Sequence, residues 1–87
     1  MALRMDSKWR LLLVDSKFDE FNRLAEQEPP DLEGCDLRGL DLFYADLDGA
    51  SIHEAKISGV RFPPSLAADE ISMSLHLGTR MRARKTS

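Results

Sequence analysis

The 87-residue sequence contains one cysteine, Cys35, and therefore cannot form a disulfide within a single chain. A lone cysteine fits a reducing compartment, and we expect the protein in the cytoplasm. No apolar run approaches the ~20 residues that cross a bilayer, and the apolar stretch near the start is too short for a secretion signal. We therefore expect neither a disulfide framework nor a membrane partner.

Basic residues are nearly absent from the middle of the chain and acidic residues from its end. Residues 31–50 hold six acidic side chains against Arg38, whereas residues 79–87 carry four basic side chains and no acid. This asymmetry fits a solvated surface with a mobile tail, and it also fits two different partners. The net charge of −3 alone does not distinguish the two.

Between these regions the dipeptide Asp-Leu recurs every five residues, at 31–32, 36–37, 41–42 and 46–47. A period of five matches neither the 3.6 of a helix nor the 2 of a strand. Each unit contains a small, a polar and a large apolar residue, so its first and third side chains point the same way in an extended chain. The other two positions are polar or glycine and suit a corner. The pattern therefore predicts a wound chain with its apolar side inward.

The inward positions of this repeat define the expected structural core. Its members are Cys35, Leu37, Leu40, Leu42, Ala45, Leu47, Ala50, Ile52, Ala55, Ile57, Val60 and Phe62. The repeating aspartates take outward positions, where we expect them to be solvated and to accept hydrogen bonds from corner backbone.

The stretch from about 30 to 62 resembles the pentapeptide-repeat proteins, whose consensus is Ala-Asp/Asn-Leu followed by two variable residues. "ADLDG" at 45–49 is close to that consensus. The resemblance implies a β-solenoid, a short right-handed quadrilateral parallel β-helix with about four repeats per coil. Seven repeats can be counted here, which makes about two coils, capped by N-terminal and C-terminal α-helices.

So short an array needs other elements to cover its apolar ends, because a solenoid usually requires about three stacked units to be stable. We expect one compact domain with an N-terminal helical cap over 1–29, the repeats over 30–64, a C-terminal capping helix over 65–78 and a basic tail over 79–87. The N-terminal cap is either one helix or two, the second case being suggested by a capping box of Ser16 and Asp19. For the C-terminal helix, Ser65 is the expected N-cap and Gly78 the expected end.

The C-terminal helix carries apolar residues on two sides. Ile71 and Leu75 face the repeats, and Met73 and Leu77 form a second stripe that a single neighbour cannot cover. We therefore expect a homodimer, with Met73, Leu77 and Met81 as the candidate dimer interface. In the rival arrangement, Met73 and Leu77 contact the chain's own tail and Met81 completes a monomeric cap.

No catalytic, cofactor-binding or metal-binding constellation is present in the sequence. Cys35 falls at an inward position, and His53, Glu54 and His76 lack metal-ligand spacing. We expect a non-enzymatic interaction or structural module without cofactors, whose protein partner the sequence does not identify. The alternative is a DNA-mimicking modulator, as some pentapeptide-repeat proteins are for type II topoisomerases. Nucleic-acid binding through residues 80–85 is not expected, because no aromatic residue lies among the basic ones.

Overall fold

The structure, a computed structural model, describes residues 4–84. Three helices flank the repeats: α1 spans Lys8–Val14, α2 spans Phe18–Ala25 and α3 spans Ala68–Leu77. Residues 30–62, here called the repeat segment, lie between α2 and α3. No helix in the described part is both long and apolar enough to cross a membrane.

The N-terminal cap consists of two helices rather than one. Ser16, between α1 and α2, has a φ of 57° and so breaks the helix with a left-handed residue. The predicted capping box is wrong, because Lys17 takes the N-cap of α2 and makes no side-chain capping bond. The rings of Trp9 and Phe21 pack edge to face at 5.2 Å, and both side chains are buried.

The repeat segment returns alongside itself every twenty residues. Three parallel bridges record this return, joining Asp31 to Ser51, Asp36 to Lys56 and Asp41 to Arg61. At the first of them, Leu32 N donates to Ser51 O at 2.9 Å and Ser51 N donates to Pro30 O at 3.2 Å. Twenty residues are four units of five, so four units complete one circuit.

The sequence-based prediction of a quadrilateral parallel β-helix is wrong. Within residues 4–84 every bridge is isolated, and no β-sheet forms. The cause is the spacing of the corners, since a left-handed residue recurs nearly every five positions and ends each extended stretch. These residues have φ between 61° and 81° and are Gly34, Gly39, Gly49, Glu54 and Gly59. Too few residues remain between corners for two adjacent pairs to form a ladder.

The apolar residues form one cluster that runs from the N-terminal cap through the repeat segment. Its buried members from the repeats are Leu32, Cys35, Leu37, Leu42, Ala45, Leu47, Ala50, Ile52 and Ala55. The partly buried members from the repeats that pack against them are Leu40, Ile57, Val60 and Phe62. The interior is thus filled by the small and the large residue of each unit.

Helix α3 lies against the second circuit of the repeat segment. The predicted N-cap Ser65 is wrong, because the helix begins after Ala67, which makes no side-chain capping bond. Gly78 ends α3 in the left-handed conformation with a φ of 77°, as predicted. Ser74 is fully buried and its hydroxyl accepts a hydrogen bond from Ile52 N at 3.0 Å. This contact fixes which side of α3 faces the repeats.

Candidate interaction surface

The row of aspartates shapes the corners of the repeat segment. In each case a carboxylate oxygen accepts a hydrogen bond from the N–H two residues later, at 3.1 to 3.2 Å. The four residues are Asp31, Asp36, Asp41 and Asp46. Such bonds stabilise a turn locally. These side chains therefore have a structural role within their own units.

Three of these aspartates also pair with arginine side chains. Asp36 contacts Arg38 at 2.9 Å, and the pairs Arg4–Asp31 and Arg61–Asp41 have N–O distances of 3.3 and 3.6 Å. The hydrogen bond from the Arg38 side chain lowers the pKa of Asp36 from 3.8 to about 2. The negative charge of these aspartates is therefore partly neutralised from within the chain.

The groups considered for chemistry are not brought together. Cys35 is fully buried, and this burial raises the pKa of its thiol, which keeps it protonated and a poor nucleophile. His53 lies beside Gly78, its Nε2 3.8 Å from a carboxylate oxygen of Glu54. Across residues 4–84, no three metal-binding side chains form a group that could hold an ion.

Met73 and Leu77 form an exposed apolar pair on α3. Met73 is 41% exposed and Leu77 is 72% exposed. They lie four residues apart, one turn from each other on the helix, while Ser74 faces the repeats. We call this pair the α3 surface. Met81 was expected to belong to the same interface, but it is fully buried within its own chain and so is not part of this surface.

A second exposed group is aromatic and was missed in the sequence. The ring of Tyr44 lies 5.0 Å from that of Phe43 and 6.2 Å from that of Phe18, and Tyr44 is 68% exposed. The guanidinium of Arg61 lies 4.4 Å from the centre of the Phe43 ring. The sequence feature that indicates this group is the pair Phe43-Tyr44, because it occupies two corner positions that are polar or glycine in most other units.

Asn22 holds this aromatic corner in place. Its side-chain amide donates to Tyr44 O at 3.0 Å, and its side-chain oxygen accepts from Asp46 N at 2.7 Å. Tyr44 is not among the residues with positive φ, so this corner lacks the left-handed residue of most others. A side chain from α2 thus supports a turn that the repeat does not build by itself.

Comparison with known proteins agrees with the repeat pattern. Residues 31–62 match the family model of pentapeptide repeats in eight copies, one more than the seven counted from the sequence. A search of curated proteins and a search of solved structures return no match. The matched part covers somewhat more than a third of the chain. Repeats of this kind indicate a structural or protein-interaction module, and the match identifies residues 31–62 as pentapeptide repeats.

Proposed function

We propose that this protein is a non-enzymatic protein-interaction module that acts as a homodimer through the α3 surface. One observation carries the proposal. Met73 and Leu77 are exposed on a helix that the buried Ser74 holds to the repeats. The helix therefore cannot rotate to hide this pair without breaking that contact.

The composition around the α3 surface suits an interface. Asp69, Ser72 and His76 are exposed on the same helix and provide polar groups near the apolar pair. An apolar centre with a polar rim is the usual arrangement of protein contacts. Pairing about a two-fold axis brings the same surface of two copies together and removes Met73 and Leu77 from water. It also enlarges the core of a small domain.

The DNA-mimicking alternative draws less support. Its basis is the row of aspartates, and those carboxylates accept hydrogen bonds from corner backbone while three of them pair with arginine. The molecule has a greatest extent of 40 Å, which is short for an extended duplex mimic. No observation on the repeat segment favours this function over the first.

Light scattering at micromolar concentration tests the proposal. We expect a mass twice the chain's 9.8 kDa, and a return to 9.8 kDa in the variant Met73→Glu, because a charge at the centre of the interface opposes its burial. Leu11→Glu is the matched control, since Leu11 is 48% exposed on α1. The control is expected to stay dimeric. A wild-type mass of 9.8 kDa would contradict the proposal.

A further inference from the structure

The fourth face of the repeat segment, residues 46–50, pairs differently from the other three. On those three faces the partner lies twenty residues later in the chain. Twenty residues after Asp46 comes Leu66, but no bridge joins the two. Instead, Gly49 N donates to Met81 O at 2.6 Å and Met81 N donates to Ala50 O at 2.8 Å. The C-terminal segment, residues 79–84, thus takes the place of the missing repeat partner.

The C-terminal segment is bound on both sides. Ala83 N donates to Asp48 Oδ1 at 2.9 Å. On the other side, Arg82 N donates to Glu70 Oε1 at 2.9 Å and Arg84 N donates to Ser65 O at 2.7 Å. Four successive N–H groups of the segment therefore have acceptors. We call the site that provides these contacts the fourth-face groove, made by residues 48–50, Ser65 and Glu70.

The fourth-face groove has the features of a site for an extended peptide. It offers backbone groups, an enclosed position in which Met81 is fully buried, and two carboxylates that accept N–H groups of a segment carrying three arginines. Arg80, Arg82 and Arg84 themselves are exposed. A sheet edge binds an added strand in this way: the two backbones form hydrogen bonds, and every second side chain of the strand enters a pocket. None of these contacts depends on the segment belonging to the same chain.

We propose that in the dimer the fourth-face groove accepts the C-terminal segment of a second copy, so that two chains exchange residues 79–84. This inference rests on the proposed pairing through the α3 surface. That pairing places Gly78, which directly follows α3, near the partner, and each segment then meets the partner's groove at an effective concentration on the order of millimolar. Exchange retains all the contacts described above. Gly78 is the hinge, because its φ of 77° is a conformation that glycine leaves and enters without strain.

The dissociation constant of the dimer tests the exchange. Met81→Glu places a charge in the enclosed position. Ala83→Pro removes the N–H donated to Asp48, and its ring also fixes φ at residue 83 and restricts the backbone of Arg82. The proline variant is used where Met81→Glu disturbs folding. Exchange predicts at least a tenfold weaker dimer for each variant in sedimentation equilibrium. An unchanged dissociation constant would overturn the exchange and leave pairing through the α3 surface standing. A monomeric wild type would overturn both.

A peptide tests whether the groove accepts the segment from outside the chain. The probe is a fluorescein-labelled peptide with the sequence of residues 79–84, and the acceptor is the full-length Met81→Glu chain, whose own segment no longer competes. Fluorescence anisotropy is expected to rise to saturation, with at least tenfold weaker binding for the same peptide carrying Met81→Glu. If the acceptor does not fold by circular dichroism, the full-length Ala83→Pro chain replaces it. Equal or absent binding of the two peptides would overturn the proposal.

Discussion

The hydroxyl of Ser74 accepts a hydrogen bond from the backbone N–H of Ile52 at 3.0 Å, and both residues are fully buried. Ser74 lies in α3 and Ile52 in the repeat segment. The Ser74 side chain therefore accepts the hydrogen bond of a backbone N–H at the end of the array, as the backbone of a further repeat would. The orientation of α3, and with it the exposure of Met73 and Leu77, follows from this contact.

Replacing Ser74 by alanine should destabilise the protein. The change leaves the buried N–H of Ile52 without an acceptor, which costs ~1–3 kcal/mol in the free energy of unfolding. Ser72→Ala is the control, because Ser72 is exposed on the same helix, and it should change stability by less than ~0.5 kcal/mol. Urea unfolding followed by circular dichroism measures both. Equal effects of the two variants would show that the Ser74 bond contributes nothing.

The aromatic corner offers a second prediction. Asn22→Ala removes a donor to Tyr44 O and an acceptor from Asp46 N, and we expect a loss of ~1–2 kcal/mol in the free energy of unfolding. Asn22→Asp keeps the acceptor and loses the donor, so its effect should be smaller. Amide hydrogen exchange at Asp46 should rise in the alanine variant. A stable alanine variant with unchanged exchange would mean that the corner holds its shape without Asn22.

The cover formed by α1 and α2 predicts a large effect for Phe21. Phe21 is fully buried against Trp9, and Phe21→Ala should cost ~3–5 kcal/mol in the free energy of unfolding. So large a loss is a substantial part of the stability of a small domain. Leu11→Ala, at a position that is 48% exposed on α1, should cost far less. If the Phe21 variant melts at the wild-type temperature, the two helices do not cover the end of the array.

The ion pair of Asp36 and Arg38 makes the free energy of unfolding depend on pH in the acid range. The folded-state pKa of Asp36, about 2, lies below its ordinary 3.8. The contribution of this carboxylate is therefore complete above pH 3.8 and is lost as pH falls through about 2. A carbon-13 NMR titration should place the wild-type midpoint near 2 and the Arg38→Ala midpoint closer to 3.8. A wild-type midpoint at 3.8 would show that the hydrogen bond from Arg38 does not stabilise the Asp36 carboxylate.

The inward positions were readable from the sequence because they depend on a local rule. A large residue every fifth position and a small residue two before it face one side whenever the three-residue stretch is extended. Leu37, Leu42 and Ile52 are accordingly fully buried. The left-handed corners were readable in part, because glycine marks four of them, although Glu54 adopts the same conformation with a φ of 61°.

The departures come from contacts between distant parts of the chain. The expected strands fail to form a sheet because a corner follows each bridge, and a repeat pattern alone does not show how many residues pair between corners. Met81 reaches the fourth face only after α3 turns the chain back, and Asn22 meets Tyr44 across 22 residues. The expected N-capping residues fail, because α2 begins after Lys17 and α3 after Ala67, and neither of these residues makes a side-chain capping bond. The exposure of Met73 and Leu77 was readable from their helical spacing. For Met81 the sequence left two arrangements open, a dimer interface and a cap within its own chain, and its full burial fits the second.

Intermolecular contacts between methyl groups give the most direct test of a dimer formed through the α3 surface. In a sample mixed from carbon-13-labelled and unlabelled chains, an isotope-filtered NMR experiment detects only contacts between copies. We expect contacts between copies from the Met73 methyl group to Leu77 or Met73 of the partner copy. In the Met73→Glu variant, the Leu77 methyl groups should make no contacts between copies. Contacts that instead involve the rings of Phe18, Phe43 and Tyr44, or an absence of contacts between copies, would contradict the proposed interface.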